Sequence, residues 1–398
     1  MNRSRGRKLT VLVLGAVGLA GALTLAAVAA PRRGARTATT YTPTDPSQIV
    51  ATVPARDPDE VAARRALAAS PENVELAVTL ARADLARYRT LSDPRYLGRA
   101  QATLARWWKQ ADPPSDVLLL RATIAQSTHA FGPARADLDR LVRREPSNPQ
   151  AHLTRAVVAT ITADYAAARE SCAALASTSS LLAVTCEAPL DGIAGRAAEA
   201  YARLSSIAAR GRADARVRGW ALTALAELAI QLGNFDAAQH HLRDALAVDS
   251  EDSYARNLLA DILMATGRMA EVSSLLAERD QIDSHLLRRA IAEHALRGPD
   301  AEKLVGAMRD RIAAAAARGD RIHLREEARF VLAVDRDARR ALELALDNWH
   351  VQKELADARL LAEAAAAAGS SAAEVRAWVR TTGVRDVWLE QALAKVKP

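Results

Sequence analysis

Apolar and small residues recur at a fixed spacing of 34 positions in two separate stretches of the chain. Leu118, Ala122, Ala125, Phe131, Ala134, Leu138 and Leu141 are answered 34 residues later by His152, Ala156, Ala159, Tyr165, Ala168, Cys172 and Leu175. Trp220, Leu225, Ala226, Gly233, Ala238 and Leu242 are answered by Tyr254, Leu259, Ala260, Gly267, Val272 and Leu276. A unit of this length is one helical hairpin, whose apolar face is covered only when neighbours stack. The pattern predicts helix pairs over 116–128 with 131–144, 150–162 with 165–176, 219–232 with 235–248, and 253–266 with 269–279. Pro146 cannot continue a helix and closes one unit, and Asn148-Pro149 opens the next. Gly233-Asn234 and Gly267-Arg268 supply left-handed residues that turn the second helix back on the first. Alternating β-branched runs flanking an Asn-Gly or Asp-Gly hairpin turn are missing, so the chain reads as all-α.

These stretches resemble the tetratricopeptide repeat (TPR) family. The likeness is carried by Leu225-Ala226, Gly233-Asn234-Phe235-Asp236-Ala237-Ala238, Ala245-Leu246-Ala247-Val248-Asp249, and Phe131 to Pro146. Ala226, Ala238 and Ala245 occupy the places where the family puts small residues at the helix crossing. Ala122, Ala134 and Leu141 do so in the earlier unit. The resemblance implies an α-solenoid of antiparallel hairpins across 71–320, best preserved over 115–280. Degenerate helical repeats and a C-terminal cap follow over 321–398. Trp378 and Trp388 fall in that cap, as packing residues or as an aromatic binding patch.

Ahead of the repeats, Leu9 to Ala30 is uncharged, with Thr10 and Thr24 its only hydroxyls. As a helix it would be about 33 Å long, enough for a bilayer core of about 30 Å. The leading Arg3, Arg5, Arg7 and Lys8 orient such a span with the remainder of the chain outside the cytoplasm. The reading is an uncleaved signal-anchor over 1–35, with a cleaved signal peptide at Ala27-Val28-Ala29 as the alternative. Pro43, Pro46, Pro54 and Pro58 then mark a Pro/Thr-rich linker and lead-in over 36–70.

The net charge of +7 is explained by the same region. Arg32, Arg33 and Arg36 join the four leading cations, and no acid lies in 1–36. Removing these seven from the 54 basic residues leaves 47, equal to the 47 acids. A nucleic-acid binder concentrates its positive charge on the folded domain; this chain does not, and no nucleic-acid partner is expected.

Chemistry is sparse. The His residues are scattered, and His240 and His241 point about 100° apart on a helix. The sequence has no Cys-x-x-Cys, which departs from the membrane-anchored TPR proteins of lipopolysaccharide assembly and their rubredoxin-like module. Phosphate loops and Gly-x-Ser-x-Gly or His-Glu-x-x-His motifs are lacking as well. No enzyme, metal or cofactor is expected. Arg121 and Arg155, 34 residues apart, take a place the family gives to a large apolar residue. Either they pair with Asp137, Asp139 or Glu170, or they face an anionic partner.

In the family, first helices line the concave surface. That phasing puts Trp220, Thr223, Glu227 and Ile230 in the groove, then Tyr254, Asn257, Asp261 and Met264, with Thr123 and Gln126 in the earlier pair. Contact with the preceding hairpin is the alternative for Trp220 and Tyr254. The Lys/Asn set that clamps a peptide carboxylate in some relatives is absent. Cys172 and Cys186, the only cysteines, fall on consecutive helices, where they could form a disulfide or pack as free thiols. The function expected is a membrane-tethered, periplasmic scaffold in the bacterial inner membrane that binds a protein or peptide client. Alternatives are an assembly factor holding an apo or unfolded client, as in cytochrome maturation, or a self-associating envelope protein.

Overall fold

The structure, a computed structural model of the 398-residue chain, describes residues 57–397 apart from 92, 211–213 and 320–322. Leu9–Ala30 and the linker up to residue 56 lie outside the described residues. Among those described, no helix is long and apolar enough to cross a membrane.

The described residues contain helices and turns but no strands. In chain order the helices are α1 (Pro58–Ala69), α2 (Val74–Leu91), α3 (Arg95–Thr103), α4 (Ala105–Trp108), α5 (Ser115–Ser127), α6 (Phe131–Arg144), α7 (Pro149–Ile161), α8 (Tyr165–Ala174), α9 (Ser180–Ile193), α10 (Ala197–Arg210) and α11 (Ala215–Gln231). They continue as α12 (Phe235–Val248), α13 (Ser253–Ala265), α14 (Met269–Leu275), α15 (Asp283–Leu296), α16 (Ala301–Ala317), α17 (Leu324–Phe330), α18 (Ala338–Val351), α19 (Leu355–Ala368), α20 (Ala373–Thr382) and α21 (Val387–Ala394). From α5 to α20 they pair as first and second helices of stacked hairpins. The hairpins predicted at 219–248 and 253–279 are α11/α12 and α13/α14.

Helix starts follow local chemistry. The Asn148, Asp164, Asn234 and Asp337 side chains accept from backbone N–H groups in the first turns of α7, α8, α12 and α18. Gly233 and Gly267 take φ +76° at the hairpin turns, as the sequence predicts. The same turn in the two earlier units is made by His129 (φ 55°) and Ala163 (φ 60°). The left-handed turn therefore belongs to the hairpin geometry and tolerates residues other than glycine there.

The lead-in differs from a pure linker. Pro58 starts α1, where a missing N–H costs nothing, and Asp59 and Glu60 suit the positive end of its dipole. Glu60 is held by Arg64 at 2.7 Å and by Arg87 and Arg99, while Arg64 also grips the fully buried Asp84 at 2.8 Å. Burial opposes ionisation of Glu60, but its hydrogen bonds to Arg64 and Arg87 win and bring its pKa down to about 2. This network pins α1 to the first hairpin.

The core is built of Ala and Leu, as the low aromatic content requires. Ala226, Ala229, Ala238, Ala255 and Ala260 are almost fully buried at the crossings of α11 to α13. Small residues there let helix axes approach closely. Arg121 forms a bidentate pair with Asp137 at 2.5 and 2.7 Å, and Arg155 bonds Asp139 at 2.7 Å and Glu170 at 3.1 Å. Both arginines serve as internal ties between the first and second helices of neighbouring or shared hairpins.

The array does not run out to an open end. Lys353 N donates to Ile161 O at 2.8 Å, and Trp378 Nε1 donates to Tyr165 Oη at 2.8 Å, a contact spanning 213 residues. A Cβ on Gly195 would come within 2.5 Å of Gly383 O. Trp388 stacks on Phe235 with centroids 5.4 Å apart, and the Arg359 guanidinium lies over the Trp388 ring at 4.8 Å from its centroid. The hairpins from α7 to α20 thus complete a turn, and α20 and α21 close it against α8 and α11–α12.

Candidate functional site

Closure turns the expected groove into a cavity. It is lined by Thr160 of α7, Pro189 and Ile193 of α9, Glu227 and Gln231 of α11, Tyr254, Asn257 and Asp261 of α13, Ser284 and Arg288 of α15, Arg325, Glu326 and Arg329 of α17, and Leu355 and Arg359 of α19. These are the first helices of seven successive hairpins. The cavity measures about 240 Å³. It adjoins a wider vestibule of about 670 Å³, which shares Leu258, Asp261, Ala356, Arg329 and Arg359 with it and adds Met264, Met269, Ile291, Leu332 and Trp388.

Of the sequence-predicted groove residues, Glu227, Ile230, Tyr254, Asn257 and Asp261 meet in this cavity, and Met264 lines the vestibule. Thr223 does not: it is 4% exposed, and its hydroxyl donates to Trp220 O at 2.8 Å. Trp220 is half-buried and packs beside Leu153 and Leu182 on the cluster containing Cys172 and Cys186, so it contacts preceding hairpins. The reason is that α11 is wrapped by α9, α10, α12 and α21, which leaves only part of its phased stripe facing open space. Thr123 and Gln126 are half-buried and lie outside the cavity lining; the Thr123 hydroxyl is spent on Leu119 O at 2.8 Å.

Adjacent first helices are stitched at a separation of 27, which is 34 less two helical turns. Tyr254 Oη donates to Glu227 Oε1, and Asn257 Nδ2 donates to Ser284 Oγ at 2.9 Å. Arg288 makes a bidentate pair with Asp261 at 2.7 and 2.8 Å. Arg359 does the same with Asp386 at 2.5 and 2.9 Å. Arg325 bonds Glu354 at 2.7 Å and the fully buried Asp357 at 3.2 Å.

Protein walls replace bulk water around these groups, and their titration shifts accordingly. Tyr254 keeps 55% of its surface exposed, but the space it faces is the cavity. Burial raises Glu227 to about 7, opposed by the Tyr254 hydrogen bond. Burial and the facing Glu227 carboxylate push the Tyr254 phenol well above its usual value. Asp261 goes the other way: burial opposes its charge, yet Arg288 and Arg329 hold it below the ordinary carboxylate range. Burial lifts Asp357 to about 6 against the pull of Arg325.

A raised acid stabilises the fold only while protonated. Unfolded Glu227 releases its proton near 4.5, the folded one near 7, so the native state binds more protons between these values. Stability should therefore fall as pH rises from about 4.5 to about 7. Glu227→Gln should flatten part of that slope, leaving the part due to Asp357 in the lower half of the window. Melting curves for both proteins from pH 4.5 to 7.5 check this, and parallel profiles would refute it.

The sequence reading missed Arg288, Arg325, Arg329 and Arg359, because the repeats after 285 are too degenerate to phase. The 27-residue offset of complementary side chains, as in Asp261–Arg288, was a usable signal. His241 is not a metal ligand candidate: its ring bonds Tyr201 Oη at 2.9 Å. Among the described residues no group of His, Cys, Asp and Glu is arranged to hold a metal ion.

A family model for the tetratricopeptide repeat matches residues 119–180 and 223–271, the stretches where the 34-residue pattern is clearest. These two stretches are similar to tetratricopeptide repeats. TPR repeats are in general non-catalytic scaffolds for protein–protein interaction. No curated protein matches the chain. Among solved structures it is similar to the P58(IPK) TPR domain, at 14% identity over 82% of this chain and 94% of that one, with a TM-score of 0.20.

Proposed function

We propose that this chain is a membrane-tethered, extracytoplasmic TPR scaffold that captures a short segment of a protein partner on its concave side. One observation carries the reading: seven first helices converge on a single charged cavity with an apolar vestibule at its side. A space of this size admits a chain terminus or a few side chains; a folded domain does not fit. Met264, Met269 and Trp388 in the vestibule are residue types that adapt to or anchor partners. The tether is supported by the apolar Leu9–Ala30 segment and its leading cations. The joining of Cys172 to Cys186 supports the compartment, since disulfides persist outside the cytoplasm.

Photo-crosslinking amino acids at Ala265 and Ala333, both exposed in the vestibule, should give a discrete adduct in native membranes. The same label at Asp244, exposed on the outer face of α12, should not. Equal labelling from both faces would sink the concave-side reading. Alkaline phosphatase fused after Ala55 should be active outside the cytoplasm, and activity confined to a cytoplasmic reporter would end the tether reading.

A further inference from the structure

The inner cavity sets a carboxylate beside an open aromatic face, with no cation to balance it. Glu227 is half-buried, lines the cavity and joins no ion pair among the described residues. Its Oε1 accepts from Tyr254 Oη, and its Oε2 accepts no hydrogen bond among the described residues, although each carboxylate oxygen has lone pairs to offer. Tyr254 keeps 55% of its surface toward the cavity and makes no aromatic or cation–π contact among the described residues. The cations that share this space are engaged elsewhere. Arg288 holds Asp261, Arg325 holds Glu354 and Asp357, Arg359 holds Asp386, and Arg329 acts on Asp261. These four arginines meet six carboxylates: Glu227, Asp261, Glu326 and Glu354 in the lining, with Asp357 and Asp386 behind it. Glu354, whose side chain is 39% exposed, stands close enough to Glu227 to oppose its charge.

We propose that the cavity binds a primary ammonium on an alkyl stem, with its N–H groups on Glu227 Oε2 and Glu354 and its charge against the Tyr254 ring. A cation over a tyrosine face gains most where bulk water is excluded. The half-buried Leu258 and Leu355, with Leu228 and Leu287 behind them, give the stem an apolar wall. The volume of about 240 Å³ equals roughly eight waters at about 30 Å³ each, which suits a stem of lysine length. Burial raises Glu227 to about 7 with Glu354 adding to the rise, while the Tyr254 hydrogen bond and Arg359 oppose it. Across from them α9 lines the cavity only with the uncharged Pro189 and Ile193. A cation beside Glu227 reverses the rise and displaces its proton. A free alkylamine and the lysine of a partner present this same chemistry; in the second case the inference rests on the partner-capture reading. Crosslinking at the vestibule tests that reading by itself, so either can fail alone.

The test is calorimetry on the full chain with three probes: n-butylamine, Nα-acetyl-L-lysinamide, and Nα-acetyl-L-norleucinamide, which carries the lysine stem without its charge. At pH 7 at least one of the two amines should bind at millimolar concentration or below, and the norleucine probe at least tenfold more weakly than the better amine. Tighter binding of n-butylamine identifies a free amine; equal or tighter binding of the lysine probe identifies a partner's lysine. Because about half of Glu227 is protonated at that pH, binding should release about half a proton, read from the enthalpy in buffers of different ionisation heat. Glu227→Gln keeps an acceptor for Tyr254, so it should preserve the fold, weaken the better amine at least tenfold and abolish the proton release. Tyr254→Leu, the second variant, removes the ring and should weaken it at least threefold while keeping the fold. Absence of binding by both amines, a norleucine probe bound as tightly as the better amine, or an unchanged affinity in both variants would overturn the proposal.

Discussion

Trp378→Ala should cost about 3–5 kcal/mol, the usual range for deleting a buried tryptophan, and should open the closed array. Trp378 is 8% exposed and sits edge-on to the fully buried Trp349, with ring centroids 5.5 Å apart. Its Nε1 donates to Tyr165 Oη, so one side chain ties α20 to α18 and to the distant α8. In a stacked array, stability is a sum of units and interfaces, and loss of one interface can uncouple what it joined. The expected result is a melting curve split into two steps, with the amides of α20 and α21 exchanging faster than those of α11 to α13. Tyr165→Phe keeps the ring and removes only the hydroxyl, for about 1 kcal/mol. A single transition in Trp378→Ala, displaced by less than about 1 kcal/mol, would show that closure is held elsewhere.

That contact also marks where sequence reading stops. The 34-residue period identifies hairpins, their turns and the small residues at crossings, because these are set within one unit and its neighbour. Closure depends on a small rotation per hairpin summed over many hairpins, and no single unit records that sum. Tyr165 and Trp378 therefore gave no sign of each other, and the aromatic pair at the C-terminus turned out to grip separate partners, Tyr165 with Trp349 and Phe235 with Arg359. The candidate site divides the same way. Glu227, Tyr254, Asn257 and Asp261 were legible because α11 and α13 lie in well-phased units. Thr223 was misplaced because the phasing rule assumes that a first helix has an open concave face, and α11 keeps little of one. Arg325 and Arg329 were invisible because α17 is short and passes into the π-helical turn Val331–Asp335, which breaks the register of the repeat.

The second large effect is expected at Cys172 and Cys186. The structure joins them between α8 and α9, with Cα atoms 5.4 Å apart, inside the span that an unstrained bridge allows. They are separated by 14 positions. Closing a loop of about this size removes enough freedom from the unfolded chain to contribute about 3 kcal/mol at most. Over a cooperative unit of about 150–250 residues each kcal/mol moves melting by about 2–4 °C, so reduction should lower it by up to about 6–12 °C. Both cysteines are buried beside Leu175, Leu190 and Trp220, so the change should also register in tryptophan fluorescence. The double variant Cys172→Ala/Cys186→Ala should melt near the reduced protein, less a further loss for the missing sulfurs, and should not respond to reductant. Protein taken from an oxidising compartment without reductant and then denatured should show no titratable thiol. Two thiols under those conditions, or a melting temperature indifferent to reductant, would mean that the pair serves only as small apolar packing between the two helices.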